Sequence, residues 1–159
     1  MYLWPPHVKP PACSGCPRAS RGRGFVPGEI VPGARLAVVG EQPGENEVIE
    51  GRPFVGKSGF VLGDGLGGKE GRASTSVTNV RKCLGAKGES EADRDASIAH
   101  CAAAYLQAEL DAAAPAVICA VGADSSGLLA GRADVSVVTG SVWSRNEAEA
   151  LAEANEVPF

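Results

Sequence analysis

The chain has 159 residues, enough for one domain with a substantial core and too few for two of ordinary size. Its 15 lysines and arginines against 19 aspartates and glutamates leave a formal charge of −4, which excludes a global attraction to nucleic acid, so any such affinity has to be local. Without an apolar run of membrane-spanning length or a signal-peptide stretch, the chain is expected to be cytoplasmic and free of membranes, and its five cysteines then point to metal or catalysis rather than to disulfides.

Residues 1–34 are rich in Pro, Gly and Arg and lack periodicity, as suits an irregular segment tied down by something other than a core; the pair Cys13 and Cys16 is the candidate tie. From Arg35 the pattern becomes regular. Leu36–Val39 predicts a short apolar strand, Ser58–Leu66 a helix and Ser74–Val80 a second strand, together one βαβ unit. Glu89–Ala114 predicts a long Ala-rich helix with Ile98, Tyr105, Leu106 and Leu110 as its apolar stripe, closed by Pro115. Ala116–Val121 reads as a third, buried strand, with Cys119 as a small buried hydrophobe inside it, and Asp124–Leu129 as a short helix. Val135–Val138 is expected to form a fourth strand and Asn146–Ala154 a final helix capped by Asn146. This alternation predicts a three-layer α/β/α fold around a central four-stranded parallel sheet, in which ligands gather outside the carboxyl ends of the strands.

Two segments fall at those ends. Residues 38–56 read VVGEQPGENEVIEGRPFVG, with Pro43 and Gly44 allowing a sharp turn after the first strand, and Asn79 closes the second. GRPFVGKS, from Gly51 to Ser58, also meets the spacing of a phosphate loop, which would make the chain a nucleotide phosphatase. Such a loop follows directly on a buried strand, whereas EVIE before Gly51 is short and charged, so this reading is set aside. Gly56, Lys57, Ser58 and Gly59 still precede a helix, where free N–H groups and the Lys57 ammonium can hold a phosphate.

Taken in order, CxxC at 13–16, VVGEQPGENEVIEGRPFVGKSG, VTNVRKC and PAVICAVGADSSGLL resemble the iron-sulfur uracil-DNA glycosylases, family 4 of their superfamily, over roughly residues 12–122. The resemblance implies one glycosylase-like domain over residues 1–159, a monomer that removes uracil or a related modified pyrimidine from single- or double-stranded DNA. It also implies a [4Fe-4S] cluster on Cys13, Cys16, Cys83 and Cys101; thiolates by themselves suit such a cluster or zinc, and spacing does not choose between them.

An enzyme acting on a base must take it out of the stack and hold it by face and edge. The resemblance implies Phe54 as the face and Asn79 as the edge, since a side-chain amide matches O4 and N3–H of uracil and mismatches the exocyclic amine of cytosine. Glu41 is the implied catalytic carboxylate, either positioning the water that attacks C1′ or stabilising an oxocarbenium-like sugar. Gly40, Gln42, Pro43 and Gly44 complete the substrate-binding turn. Gln42 stands where relatives carry a small residue, and its amide either adds a hydrogen bond or narrows the pocket. Lys57 and Ser58 are the implied phosphate contacts.

One family feature is missing. Relatives carry a His-Pro-Ser motif near the C-terminus whose His stabilises the departing uracil anion, but the only histidines here are His7 and His100, neither at a strand end. VSVVTGSVWSR aligns best, placing Thr139 and Ser141 at that motif, with Thr139 as an uncharged donor to uracil O2. Trp143 and Arg145 then fall in the loop that wedges into DNA, unless Trp143 caps the sheet. Two functions therefore stand: an active glycosylase, or a catalytically weak or silent relative that binds DNA or a replication partner with the same pocket.

Overall fold

In the computed structural model, which describes residues 8–131, Leu36–Gly40 (β1) is the middle strand of a parallel sheet ordered β2–β1–β3. Ser76–Asn79 (β2) and Val117–Ala120 (β3) flank it, with Gly40 opposite Asn79 and Val39 opposite Ala120 in the two registers. The carboxyl ends of β1 and β2 therefore finish level, at the mouth where the turn after Gly40 begins.

The connections follow the expected order. After β1 come Glu45–Glu50 (α1), Lys57–Gly65 (α2) and Lys69–Ala73 (α3), and β2 follows. The long helix starts at Glu91, because the Ser90 hydroxyl caps it by accepting the Asp93 N–H at 3.1 Å. It runs as Glu91–Cys101 (α4), a π-helical stretch over Ala102–Leu106, and Gln107–Ala113 (α5), and stops where Ala114 turns left-handed before Pro115. Ala123–Ala130 (α6) follows β3.

Alternation along β1 decides what is buried on each face. Ala37 and Val39 meet Leu106 and Leu110 of the long helix and Leu128 and Leu129 of α6, the main core of the described residues. Val38 points the other way and is equally buried, so the opposite face is covered too. The N-terminal segment runs along the outer edge of β2, where Glu29 and Val77 exchange both backbone hydrogen bonds, so this edge is not left open.

Two expectations need correction or fall outside. The described sheet has three strands, and the fourth strand expected at 135–138 and the last helix at 146–154 lie outside the described residues. β3 is not buried among the described residues: Val117 is 50% exposed and Ile118 39%, and Cys119 is exposed rather than a buried thiol. Among the described residues β3 pairs with β1 alone, on one edge of the sheet. No helix among the described residues is long and apolar enough to cross a membrane.

A buried ion pair braces the end of β2. The Lys82 ammonium, 1% exposed, donates to Glu109 Oε2 at 2.5 Å, to Thr78 Oγ1 at 2.6 Å and to the Asn79 carbonyl at 2.7 Å. Glu109 on α5 also accepts from Thr78 Oγ1 and from the Gly28 N–H. All three ammonium protons are satisfied, which is what makes such a burial tolerable. Lys82→Met should therefore destabilise the fold by about 3–5 kcal/mol in urea titration, because Glu109 is left as an unpaired buried charge. Adding Glu109→Gln should restore part of that loss; a single variant as stable as wild type would contradict the bracing role.

Candidate active site

A cavity of about 590 Å³ opens at the carboxyl end of β1, lined by Gly40, Glu41, Gln42 and Gly44 of the turn, by Phe54, Lys57 and Ser58, and by Asn79 of β2. Pro43 is fully buried within the turn. Eight of the residues singled out in the sequence thus surround one space.

Gly40 explains how the ring and the amide meet. A side chain on its α-carbon would come within 2.4 Å of Asn79 Oδ1 and 2.6 Å of Phe54 Cζ, so both groups close over the same bare backbone position. Asn79 is 4% exposed, and its backbone carbonyl is held by Lys82. Phe54 sits in the left-handed region at φ 55°, a conformation that a bulky residue adopts at a cost and that here turns the ring into the cavity.

Glu41 stands on the start of α6. Its Oε1 accepts the Asp124 N–H at 3.1 Å, a favourable place for a carboxylate at a helix N-terminus. Gly122, at φ 100°, makes this approach possible, because a Cβ there would lie 2.6 Å from Glu41 Oε1. Asp124 is itself clamped by the guanidinium groups of Arg81 and Arg94. One carboxylate oxygen of Glu41 is thereby fixed, which leaves the other as the end that can act in the cavity.

The phosphate-holding segment is partly modified by what the structure shows. Lys57 and Ser58 are exposed at the rim of the cavity and open α2, as expected. The Gly56 N–H, however, is not free: it donates to Glu47 Oε1 at 3.0 Å. The Gly51–Ser58 segment also follows a helix, α1, and not a strand, which agrees with setting aside the phosphate-loop reading.

Three residues that matter here escape sequence reasoning. Glu47 links α1 to the start of α2, and its place three residues after Gly44, in the first turn of α1, is a signal that could have been read. Lys82 lies three residues after Asn79 within TNVRK. Arg18, 3% exposed, donates from Nη1 to Gln42 Oε1 at 2.8 Å and to the Cys83 carbonyl at 2.9 Å, and forks onto Glu89 with Nε and Nη2. No sequence spacing links Arg18 to a residue 24 positions on.

Cys13, Cys16, Cys83 and Cys101 are all buried. Burial pushes the Cys83 thiol up, and Cys16 and Cys13 add to this while Lys9 and Arg18 oppose it. Burial likewise pushes Cys101 up to about 11, with Cys83 and Cys16 contributing, so the later thiols feel the earlier ones. Cys13 and Cys101 pack with Phe25 and Tyr105, whose rings meet edge-on at 5.1 Å, and Cys13 Sγ lies 3.2 Å from the Tyr105 hydroxyl. Among the described residues no group of three or more His, Cys, Asp or Glu side chains is arranged to hold a metal ion. His100 serves the scaffold: its ring Nε2 bonds the Ala12 carbonyl at 2.7 Å. Thr139, Ser141, Trp143 and Arg145 lie outside the described residues.

A parallel α/β sheet whose carboxyl edge offers an aromatic face, an amide edge and a carboxylate to one cleft has the chemistry of a domain that grips a nucleobase. Residues 27–152 match the profile of the uracil DNA glycosylase superfamily, and the chain belongs to it. It is 34% identical over 117 residues to a Type-4 uracil-DNA glycosylase of Sulfurisphaera tokodaii, covering 72% of this chain and 52% of that protein. The proteins of the same name from Saccharolobus solfataricus (32% over 119 residues, 74% and 54% covered) and Thermotoga maritima (34% over 115 residues, 70% and 57%) are similar in the same way. The chain spans about half the length of these relatives.

Gly40→Ala should leave the fold intact but separate ring from amide, since both clashing atoms are the free ends of side chains. A crystal structure of that variant should show Phe54 and Asn79 displaced; unchanged side chains would refute the close approach. A pH effect follows from Glu89, whose carboxyl is held below the usual carboxylate range by its hydrogen bond from Arg18, with Arg81 also favouring the charged form and burial and Asp93 opposing it. Its stabilisation is complete above the ordinary carboxylate pKa and is lost as pH falls through the lower folded value. Glu89→Gln should therefore be less stable than wild type near neutrality, the gap closing below about pH 4 in thermal melts.

Proposed function

We propose that this chain removes uracil, or a closely related pyrimidine, from DNA by hydrolysing the N-glycosidic bond. The observation that carries the reading is the meeting of the Phe54 ring and the Asn79 amide over Gly40, in the cleft that Glu41 also lines. A flipped base stacks on Phe54, while the Asn79 amide pairs with O4 and N3–H. Glu41, with one oxygen tied to the Asp124 N–H, orients water at C1′ or stabilises the developing sugar cation with the other. The water oxygen bonds to C1′ as the bond to N1 breaks, the pair of electrons leaves with the base, and the water proton is released.

Lys57 and Ser58 at the rim, and Trp143 and Arg145 further on, are the proposed DNA contacts. A fourth strand from residues 135–138 beside β3 would complete a four-stranded sheet, and Thr139 and Ser141, which follow it in the sequence, would then stand at its carboxyl end. Cys13, Cys16, Cys83 and Cys101 are the proposed ligands of a [4Fe-4S] cluster. What supports this is the donor type, four buried thiols, of which Cys13 and Cys101 pack against Phe25 and Tyr105 while Cys83 lies near the positive charges of Lys9 and Arg18. The preference for iron over zinc rests on the family resemblance. Such a cluster, when bound, would brace the N-terminal segment against α4 and take no part in hydrolysis.

A second reading, a relative that binds without cleaving, is favoured by one observation: His100 is committed to the Ala12 carbonyl, and among the described residues no histidine lines the cavity. Incubation with a single-stranded uracil oligonucleotide separates the two. Alkali-labile abasic sites should form, and Glu41→Ala and Asn79→Ala should each slow their formation by about 100-fold or more. Binding with no cleavage at high protein concentration would establish the silent reading. An absorbance shoulder at about 400 nm, lost with Cys83→Ser, is expected of the cluster; zinc in its place would leave the purified protein colourless.

A further inference from the structure

We infer that Gln42 contacts the base directly, its amide held by Arg18 so that the nitrogen end faces the cavity and donates to the pyrimidine O2. The inference rests on the uracil reading of the pocket and goes beyond it by assigning a second specificity residue. Gln42 lines the cavity, is half-buried, and accepts at Oε1 from Arg18 Nη1 at 2.8 Å. A guanidinium has donors only, so the end of the amide that meets it has to be the oxygen. The amide is planar, and fixing its oxygen turns Nε2 the other way. Among the described residues no acceptor engages that nitrogen.

Arg18 is well suited to this task because it has no freedom of its own. Its Nε and Nη2 fork onto Glu89, and the Nη1 that reaches Gln42 also donates to the Cys83 carbonyl. The amide is therefore oriented by a group locked on three sides and withdrawn from water. A small residue at position 42 would leave this Nη1 with the Cys83 carbonyl alone.

The choice of O2 follows from what is left of the base. Asn79, with one acceptor and one donor end, suits the neighbouring N3–H and O4 of uracil. O2 is the carbonyl that Asn79 leaves over; its two lone pairs can accept from Gln42 as well as from Thr139, and it flanks N1, the atom from which the sugar departs. Gln42 directly follows Glu41, the group assigned to the sugar side of the cleft. A donor there meets the oxygen on which charge accumulates as the base leaves.

Sulfur substitution tests this without requiring turnover. The probes are single-stranded oligonucleotides carrying a central 2′-fluoroarabino deoxyuridine, which resists cleavage, and its 2-thio and 4-thio forms, in which a weak acceptor replaces one oxygen. Wild type should bind the 2-thio probe about three- to tenfold more weakly than the parent, the worth of one hydrogen bond. Gln42→Ala should bind the parent weakly to the same extent and lose most of the penalty for sulfur at position 2, while keeping its penalty for sulfur at position 4. Asn79→Ala should show the opposite pattern. Gln42→Glu, isosteric and still able to accept from Arg18, places an acceptor where the donor stood and should bind the parent no better than Gln42→Ala. The inference is overturned if Gln42→Ala retains the full 2-thio penalty of wild type, or if Gln42→Glu binds uracil as wild type does. Failure of wild type to prefer the uracil probe over the matching cytosine probe would instead sink the uracil reading itself.

Discussion

Gly40 and Asn79 are opposite one another in the parallel register of β1 and β2, and the mouth of the sheet is organised by the side chain that the first of them lacks. Parallel pairing brings two strand ends level, but ordinary residues would fill the space between them. With only a hydrogen on Gly40, an aromatic ring from the loop after α1 and an amide from the end of β2 can approach the same backbone atom. The ring accepts a strained backbone to do so. Strain of this kind persists only where the surroundings over-determine it, and here buried Pro53, the Glu47 contact to Gly56 and the start of α2 bracket Phe54 on both sides.

The same mouth is underpinned by charges that are expensive to bury. Lys82 with Glu109, Arg18 with Glu89, and Arg81 with Asp124 are ion pairs with at least one partner almost inaccessible to water. A well-packed apolar substitute would often stabilise a fold as much, so pairs like these are better explained by direction than by strength. Each reaches a backbone or side-chain atom of the cleft: Lys82 the Asn79 carbonyl, Arg18 the Gln42 amide, and Asp124, through its N–H, the Glu41 carboxylate. Hydrogen bonds specify angle as well as contact, and a site that must present three polar groups at fixed orientations needs that specification.

Much of this was legible in the sequence for physical reasons. Apolar runs at Leu36–Val39 and Ser74–Val80 and the helical spacing after Ser58 mark their elements, because burial on a sheet and on a helix imposes different periods. Glu41 and Asn79 were singled out because they stand at strand ends, and Phe54 because of its place in GRPFVG. The start of the long helix was read two residues early, since Glu89 is a good helix former but Ser90 is the cap. β3 misled: an apolar run gives no sign of how far a strand is covered, and Cys119 was therefore placed inside when it is exposed. Arg18 and Lys82 were illegible as site residues, because a charged side chain in a sequence reads as surface until the fold withdraws it from water.

The contact inferred for Gln42 bears on how charge on a departing base could be met without a histidine. An imidazolium can place a full positive charge beside a leaving base, whereas an amide offers only a dipole. Arg18 changes that comparison, because its guanidinium is buried and donates to the carbonyl oxygen of Gln42. Withdrawal of electron density through the conjugated amide makes the protons on Nε2 better donors, and in a low-dielectric setting such relays strengthen by roughly 10–30% per bond. In the inferred contact the positive charge would be one group removed from the base and present at any pH across the range in which a histidine titrates. That arrangement yields a weaker field at the leaving group than direct contact with an imidazolium, but one that needs no proton uptake.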